Sequence, residues 1–314
     1  MLIYAARRIA LTALILLVTM TLLFSMVYLV PGDPASIALG PRATAAMKEM
    51  FRQRMGLDQP LFVQLWRFIS NVLQGNLGID VWSNRSVTQI VLEAMPYTLA
   101  LAGTGLGWAV VTGIPLGAWS AVSRGSWADR LIGVLSVSAI AIPSFIVAIY
   151  SLLIFAVWLK WLPAIGAGAH GELGDQLIHL ILPAFAVGLG WVGYIARLVR
   201  ASMLEVMGEN HVRTARAFGL PEQRILFRYA LPIAILPTIA LLGVGIGNLL
   251  SGAVFAEIVF ARPGVGKLTY DAVITRNYPV VMGSVLVTTA IYATCTLLAD
   301  IVAAWLDPRV RASL

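Results

Sequence analysis

The chain is short of the residues that most soluble proteins depend on. Cys295 is the one cysteine in 314 residues, so no intrachain disulfide and no cysteine metal site can form. It stands in an apolar run, where an inert core thiol is the plain reading. Only 12% of the residues are charged, against ~25% in an average soluble domain, while 59% are hydrophobic. His170, His179 and His211 fall in separate regions, none at metal-ligand spacing or beside an obvious nucleophile. No catalytic set emerges, and an integral membrane protein is expected. The net charge of +7 could suggest nucleic acid, but basic residues flanking membrane spans give the same balance, so no nucleic-acid partner is expected.

What the chain has in quantity is long uncharged sequence. A bilayer core of ~30 Å needs ~20 apolar residues as helix. Six runs meet that length: Ile9–Val30, Met95–Val122, Leu131–Leu159, Leu177–Ala196, Tyr229–Ala256 and Tyr278–Ala299. The first follows Arg7 and Arg8 but outlasts a signal-peptide core, and reads as a retained helix. Pro143, Pro183 and Pro237 lie inside these runs and are expected to kink them. With the N-terminus inside, the inner side collects Arg7, Arg8, Arg124, Arg130, Arg197, Arg200, Arg213, Arg216, Arg224, Arg228, Arg309 and Arg311. The short outer loops hold only Lys160, Arg262, Lys267 and Arg276, so both termini are expected in the cytoplasm.

Residues 31–94 are too long for a plain connection and read as an outer cap of short helices. A helix is expected over Thr44–Met55, ended by Gly56. A second has Asp58 as N-cap, Pro60 in its first turn, and Leu61, Leu65, Ile69 and Val72 on one face. Ser86 and Gln89 form a capping box before the second span. Two motifs mislead. Gly188-Leu-Gly-Trp-Val-Gly193 matches a dinucleotide fingerprint but sits inside a span, where small residues let helices approach closely. Gly264-Val-Gly-Lys267 resembles the end of a phosphate loop, but Ala261 and Leu268 break the pattern. Asp300, at the inner end of the last span, reads as a partnered or snorkelling carboxylate.

Against this apolar background, Met203–Pro232 is a polar island with Arg213, Arg216, Arg224 and Arg228 interleaved with Glu205, Glu209 and Glu222. Asn210–Phe218 has helical spacing, with Val212, Ala215 and Phe218 on one face. Gly219 suits a helix C-terminus and Pro221 the first turn of the next helix. The result is helix, tight corner, helix. So short a helix is marginal alone and needs a seat. On pattern alone two seats are open: the headgroup layer, or a groove on a soluble protein.

Gly219, followed after nine residues by Tyr229-Ala-Leu-Pro232, resembles the EAA loop of ABC importer permeases. Arg213-Thr214-Ala215 occupies the E-A-A positions. The run HVRTARAFGL is similar to the form found in the oligopeptide, dipeptide and nickel branch. Leu29-Val-Pro-Gly-Asp-Pro34, Gly56-Leu-Asp-Gln-Pro-Leu61, Val259–Leu268 and Arg276-Asn-Tyr-Pro279 look like the same branch. Arg213 replaces the general family's glutamate, so that residue's salt bridge to the ATPase does not carry over. Phe218 stands where the branch often has lysine.

The resemblance implies an all-α membrane protein with the type I ABC importer permease fold and six transmembrane helices. It divides the chain into an N-terminal helix (1–30), an extracytoplasmic helical segment (31–94), a permease core (95–307) holding the cytoplasmic loop 203–232, and a cytoplasmic tail (308–314). It implies a bacterial inner-membrane subunit that binds no cofactor and is not itself an enzyme. Its implied partners are a second permease chain, commonly different, two ATP-binding subunits that use ATP and magnesium, an extracytoplasmic substrate-binding protein, and membrane lipid. Arg213, Thr214, Ala215, Phe218, Gly219, Leu220, Leu231 and Pro232 would form the coupling loop, and Pro263, Gly264 and Gly266 an outer gate loop. Di- or oligopeptides are the default substrate, with nickel chelates, glutathione and opines as alternatives. The rival of another class is an ion-coupled secondary transporter, which charge-free spans disfavour.

Overall fold

A computed structural model describes residues 2–29, 43–55 and 58–306. The Val30–Pro34 part of the first family motif, Gly56 and the 308–314 tail lie outside the described residues, as does the side chain of Asp300. The described elements are helices: α1 (Leu2–Leu29), α2 (Ala45–Met55), α3 (Leu61–Leu73), α4 (Val87–Val122), α5 (Trp127–Ala141), α6 (Ser144–Ser151), α7 (Leu173–Val206), α8 (Asn210–Ala217), α9 (Glu222–Ile225), α10 (Leu231–Ala234), α11 (Leu236–Val259), α12 (Val265–Ile274) and α13 (Tyr278–Leu306). Leu152–Trp158 and Leu226–Ala230 are π-helical turns continuing α6 and α9.

Four helices, α1, α4, α7 and α13, are long and apolar enough to cross a membrane, and α5 with the α6 segment makes a fifth if that bent pair is one span. The run over Tyr229–Ala256 lies on the π turn, α10 and α11. Two runs depart from simple expectation. The run over Leu131–Leu159 is broken rather than kinked: α5 ends at Ala141, and the segment from Ser144 leaves at 100° to it. The cause is local. Ile142 (ψ 119°) precedes Pro143, whose ring disfavours helical backbone in the residue before it, and Pro143 (ψ 141°) is itself extended. Similarly, Pro237 stands in the first turn of α11 rather than mid-helix, because it cannot donate to the preceding turn. Pro183 lies inside an unbroken α7.

The outer-segment caps also shift. Thr44 caps α2, its Oγ1 accepting from the Met47 N–H at 3.3 Å. Asp58 does not cap α3. Pro60 holds that position with extended backbone (ψ 142°), so the helix begins at Leu61, two residues later than an Asp58 cap would start it. Gln89 does not reach back toward Ser86, as a capping box would require. Its amide donates forward to Glu93 at 3.1 Å.

The chain divides into two compact units. The first comprises Met1–Thr98 with Pro263–Leu297, and the second Leu99–Arg262 with Leu298–Leu314. In the first, Val87 and Val91 of α4 pack with Val265 and Ala272 of α12 and Val280 of α13. In the second, α7 is the hub, packed by α5, α6, α10 and α11. The close approach that the glycine run of α7 suggests is present. A Cβ on Gly188 would lie 2.2 Å from Trp108 Nε1, and one on Gly193 2.4 Å from the Ser136 carbonyl. Trp108 Nε1 donates to the Ala184 carbonyl of α7 at 2.7 Å, so the contact that glycine permits also satisfies a buried donor.

Candidate functional site

The polar island folds as α7, a turn, α8, a corner and α9. Val212 and Ala215 of α8 are buried against Met203 and Val206 of α7, Ile225 of α9, and Ala230. That core holds so short a helix in place. The corner itself is made at Gly219, whose φ of +74° belongs to the left-handed region that glycine enters freely. Its N–H donates to the Arg216 carbonyl at 2.9 Å, and the Leu220 N–H to the Ala215 carbonyl at 3.3 Å. Those two bonds form a Schellman motif, and Leu220 packs back on the buried cluster, completing it. Pro221 is not in the first turn of α9, as expected, but caps it from outside with ψ 140°.

This geometry separates residues that spacing placed together. Phe218 lies one position beyond α8 with φ −78° and ψ 3°, and is 81% exposed. Ala215, expected to fill a partner's groove, is turned into the chain's own core instead. Leu220 and Leu231 are half-buried against the same cluster. Arg213, Thr214, Gly219 and Pro232 are exposed. The outward-facing set is therefore Arg213, Thr214, Phe218 and Pro232 on a rigid corner.

Ion pairs bind the corner shut. Arg216 Nε donates to Glu222 Oε1 at 2.7 Å and its terminal nitrogen to Oε2 at 3.3 Å, bridging α8 and α9 across Gly219. The Arg216 hydrogen bond holds the Glu222 carboxyl below the usual carboxylate range and raises the guanidinium in turn. His211 lies 3.1 Å from Glu209 and 3.4 Å from the Tyr229 carbonyl, tying the start of α8 to the π turn. Among the described residues, Arg213, Arg224 and Arg228 form no ion pair and are exposed. The corner thus presents cations with no ion-pair partner beside the exposed ring of Phe218, and Phe227 on the following π turn is exposed as well.

A second cluster supports α7, and the sequence reading missed it. Asp129, in the first turn of α5, accepts from Arg200 Nε at 2.7 Å and from its terminal nitrogen at 2.9 Å. It also accepts from the Ser120 hydroxyl at 2.6 Å and the Gly125 N–H at 2.9 Å. Four donors on one largely buried carboxylate lock the α4–α5 turn to α7, six residues before that helix ends at Val206. The only sequence signal was Ser126 three residues before Asp129, an N-cap whose hydroxyl accepts from the Asp129 N–H.

Beside the α5–α6 break, a cleft of about 490 Å³ is lined by Pro143, Ser144, Trp191, Tyr194, Leu249 and Gly252 among others. The sequence assigns no substrate path, and this cleft lies among the apolar helices of the second unit. Of the expected outer gate loop, only Pro263 is loop and exposed. Gly264 caps α12 and Gly266 lies in its first turn, both buried. The Val265 N–H donates to Thr98 Oγ1 at 2.8 Å, anchoring that helix start. Nearby in sequence to α13, Asn277 donates its amide to Asp80, which also accepts from the Ser83 hydroxyl and the Trp82 and Ser83 N–H groups. Burial raises the Asp80 carboxyl, but those bonds outweigh it, so it titrates below its ordinary value.

Residues 113–312 match the family described as binding-protein-dependent transport system inner membrane component, and residues 1–102 match the N-terminal component of the same systems. The chain is 41% identical over 297 residues to the glutathione transport system permease protein GsiC of Pectobacterium atrosepticum, covering 94% of each chain. It is 37% identical over 296 residues to GsiC of Escherichia coli strain K12, again covering 94% of each. Among solved structures, the inward-facing MetNI methionine ABC transporter aligns with TM-scores of 0.54 and 0.56 in two crystal forms, at 18% and 16% identity. Those alignments cover 72% and 70% of this chain and 97% of the other. That likeness shows the fold. The motifs, the helical architecture and the full-length relatives agree: the chain belongs to the binding-protein-dependent transport system inner membrane components, as an ABC importer permease of the peptide and nickel branch.

Proposed function

We propose that the corner at Gly219 faces the cytoplasm and seats in a groove on separate ATP-hydrolysing subunits, so that their closure moves α7 and α11 and opens the path inward. The observation that carries this reading is Phe218, an aromatic side chain 81% exposed on a corner fixed by a Schellman motif, a bidentate ion pair and a buried core. A large apolar side chain held rigidly in water is what a protein groove recognises. Arg213, Arg224 and Arg228 would meet acidic or carbonyl acceptors at the groove's rim. The nucleotide and its magnesium belong to those subunits, and this chain binds no cofactor. A second permease chain completes the pathway, and a binding protein delivers substrate to the outer face, where Pro263 and the start of α12 border the gate. Reorientation requires that substrate and ATP bind the two states unequally.

The relatives' name supports a short peptide as the substrate, with glutathione, itself a tripeptide, the first to test. The test is uptake of labelled glutathione into vesicles carrying the chain with its co-purifying subunits and binding protein. Uptake that needs ATP and the binding protein is expected. Uptake driven by an ion gradient with no ATPase present would overturn the coupling reading. ATP-dependent uptake of another peptide but not glutathione would keep the coupling and replace the substrate.

A further inference from the structure

The corner accounts for one exposed apolar feature. A larger one lies in the first unit, on α3. This helix has 13 residues and so is about 20 Å long, too short to cross a membrane core of ~30 Å. Around its axis it presents three arcs. Phe68, Ile69 and Val72 pack against Met20 and Leu23 of α1 and Leu286 of α13, with the rings of Phe24 and Phe68 at 6.1 Å. The next arc holds Phe62, Trp66 and Leu73, which fall within about 40° of one another at 3.6 residues per turn. They are 77%, 69% and 77% exposed, and the arc carries no charge. The third arc is polar, with Arg67, Asn71 and Gln74 exposed on the opposite side.

Depth decides what covers the middle arc. Phe24 stands five residues before the end of α1 at Leu29, which places the ring contact about 8 Å below that end of the helix. An amphipathic helix lying in a bilayer interface buries its apolar face ~5–10 Å into the headgroup and acyl boundary. Leu22 and Met26, on either side of Phe24 along α1, are 61% and 59% exposed, as side chains of a membrane-crossing helix are where they meet lipid. Leu22 and Met26 project about 160° round α1 from Phe24, so the apolar arc of α3 lies at the same height along α1 as an exposed apolar surface on that helix's other side. Trp66 sits where tryptophan is enriched at membrane interfaces, and Arg67 is on the side from which its long stem can reach water.

We propose that α3 lies in the plane of the membrane leaflet at the C-terminal end of α1, with Phe62, Trp66 and Leu73 inserted among lipid acyl chains. The segment between the first two spans is then partly a membrane-embedded collar and not wholly an aqueous cap. The occupant is lipid. A protein partner on the same face is the competing outcome.

The test places spin labels on single cysteines in the full chain, with Cys295→Ala as background, reconstituted in vesicles of phosphatidylethanolamine and phosphatidylglycerol with whatever subunits co-purify. At Trp66→Cys and Leu73→Cys, collision with oxygen is expected to exceed collision with a water-soluble nickel chelate. The order reverses at Arg67→Cys and Asn71→Cys. Nickel access at 66 and 73 equal to that at 67 and 71 would overturn the proposal in favour of an aqueous cap. Shielding of 66 and 73 from both reagents would overturn it in favour of a protein partner. Should the cysteine-free background fail to fold, brominated acyl chains provide a second reading. They should quench the native chain's fluorescence more than that of Trp66→Phe, and equal quenching would sink the idea.

Discussion

Replacing Gly219 with valine separates the shape of the corner from its stability. A Cβ at this position meets nothing within 4 Å, so no steric clash opposes the new side chain. The cost is in the backbone. At φ +74° an L-residue loses about 1–2 kcal/mol against the right-handed region, and a β-branched residue loses more. Relief requires φ to change sign, which breaks the Gly219-to-Arg216 and Leu220-to-Ala215 bonds and swings Phe218 away from its fixed direction. One or two kcal/mol is a factor of about 5–30 in the ratio of native to altered corner, yet a small part of the ~5–15 kcal/mol that holds a domain together. Gly219→Val should therefore reach the membrane at parental abundance and carry out ATP-driven uptake about 5–30-fold more slowly. Gly219→Asn is the control, because asparagine tolerates the left-handed region, and should keep most of the rate. Uptake by Gly219→Val equal to the parent at matched abundance would refute the argument. Equal loss in the asparagine and valine variants would show that something other than φ matters at this position.

Other expectations follow from two of the buried carboxylates, Asp129 and Asp80. Asp129→Ala removes four accepted hydrogen bonds and leaves Arg200 without its partner, so the melting temperature should fall. Adding Arg200→Ala should cost less than its effect alone, because the pair acts as a unit. Additive losses in a thermal-shift series would contradict that coupling. Asp80 titrates below its unfolded value, so its contribution is fully present above about pH 4 and is lost as pH falls through the lower folded value. Asn277→Ala removes one bond that lowers it, so acid unfolding should begin at higher pH, and an unmoved acid limb would contradict this.

The sequence disclosed most of what depends on short-range pattern. Apolar runs located the four described helices long enough to span, and Gly219 located the corner, because a positive φ leaves few residues to choose from. It misjudged what depends on which way a side chain finally points. Phe218 shares a spacing of three with Val212 and Ala215, yet the helix ends before it and the ring turns outward. Ala215 was counted outward and is core, because the buried face of α8 is set by α7 and α9, which spacing within α8 cannot show. The Asp129–Arg200 pair joins residues 71 apart in sequence, and nothing local announces it. The break at Pro143 was half legible. The proline was visible in the run, but a kink and a 100° turn differ only in whether neighbouring helices hold the chain straight.

On the proposed function, Phe218 is the part of this chain gripped by the ATP-hydrolysing subunit. A photoreactive phenylalanine analogue at position 218, in the complex purified from membranes, tests it most directly. A crosslink from 218 to the ATPase subunit is expected, with none from the same probe at the α3 position Asn71, and ATPase co-purification should be lost in Phe218→Ala without loss of the permease. A probe at 218 that labels only lipid, together with undiminished co-purification in Phe218→Ala, would contradict it.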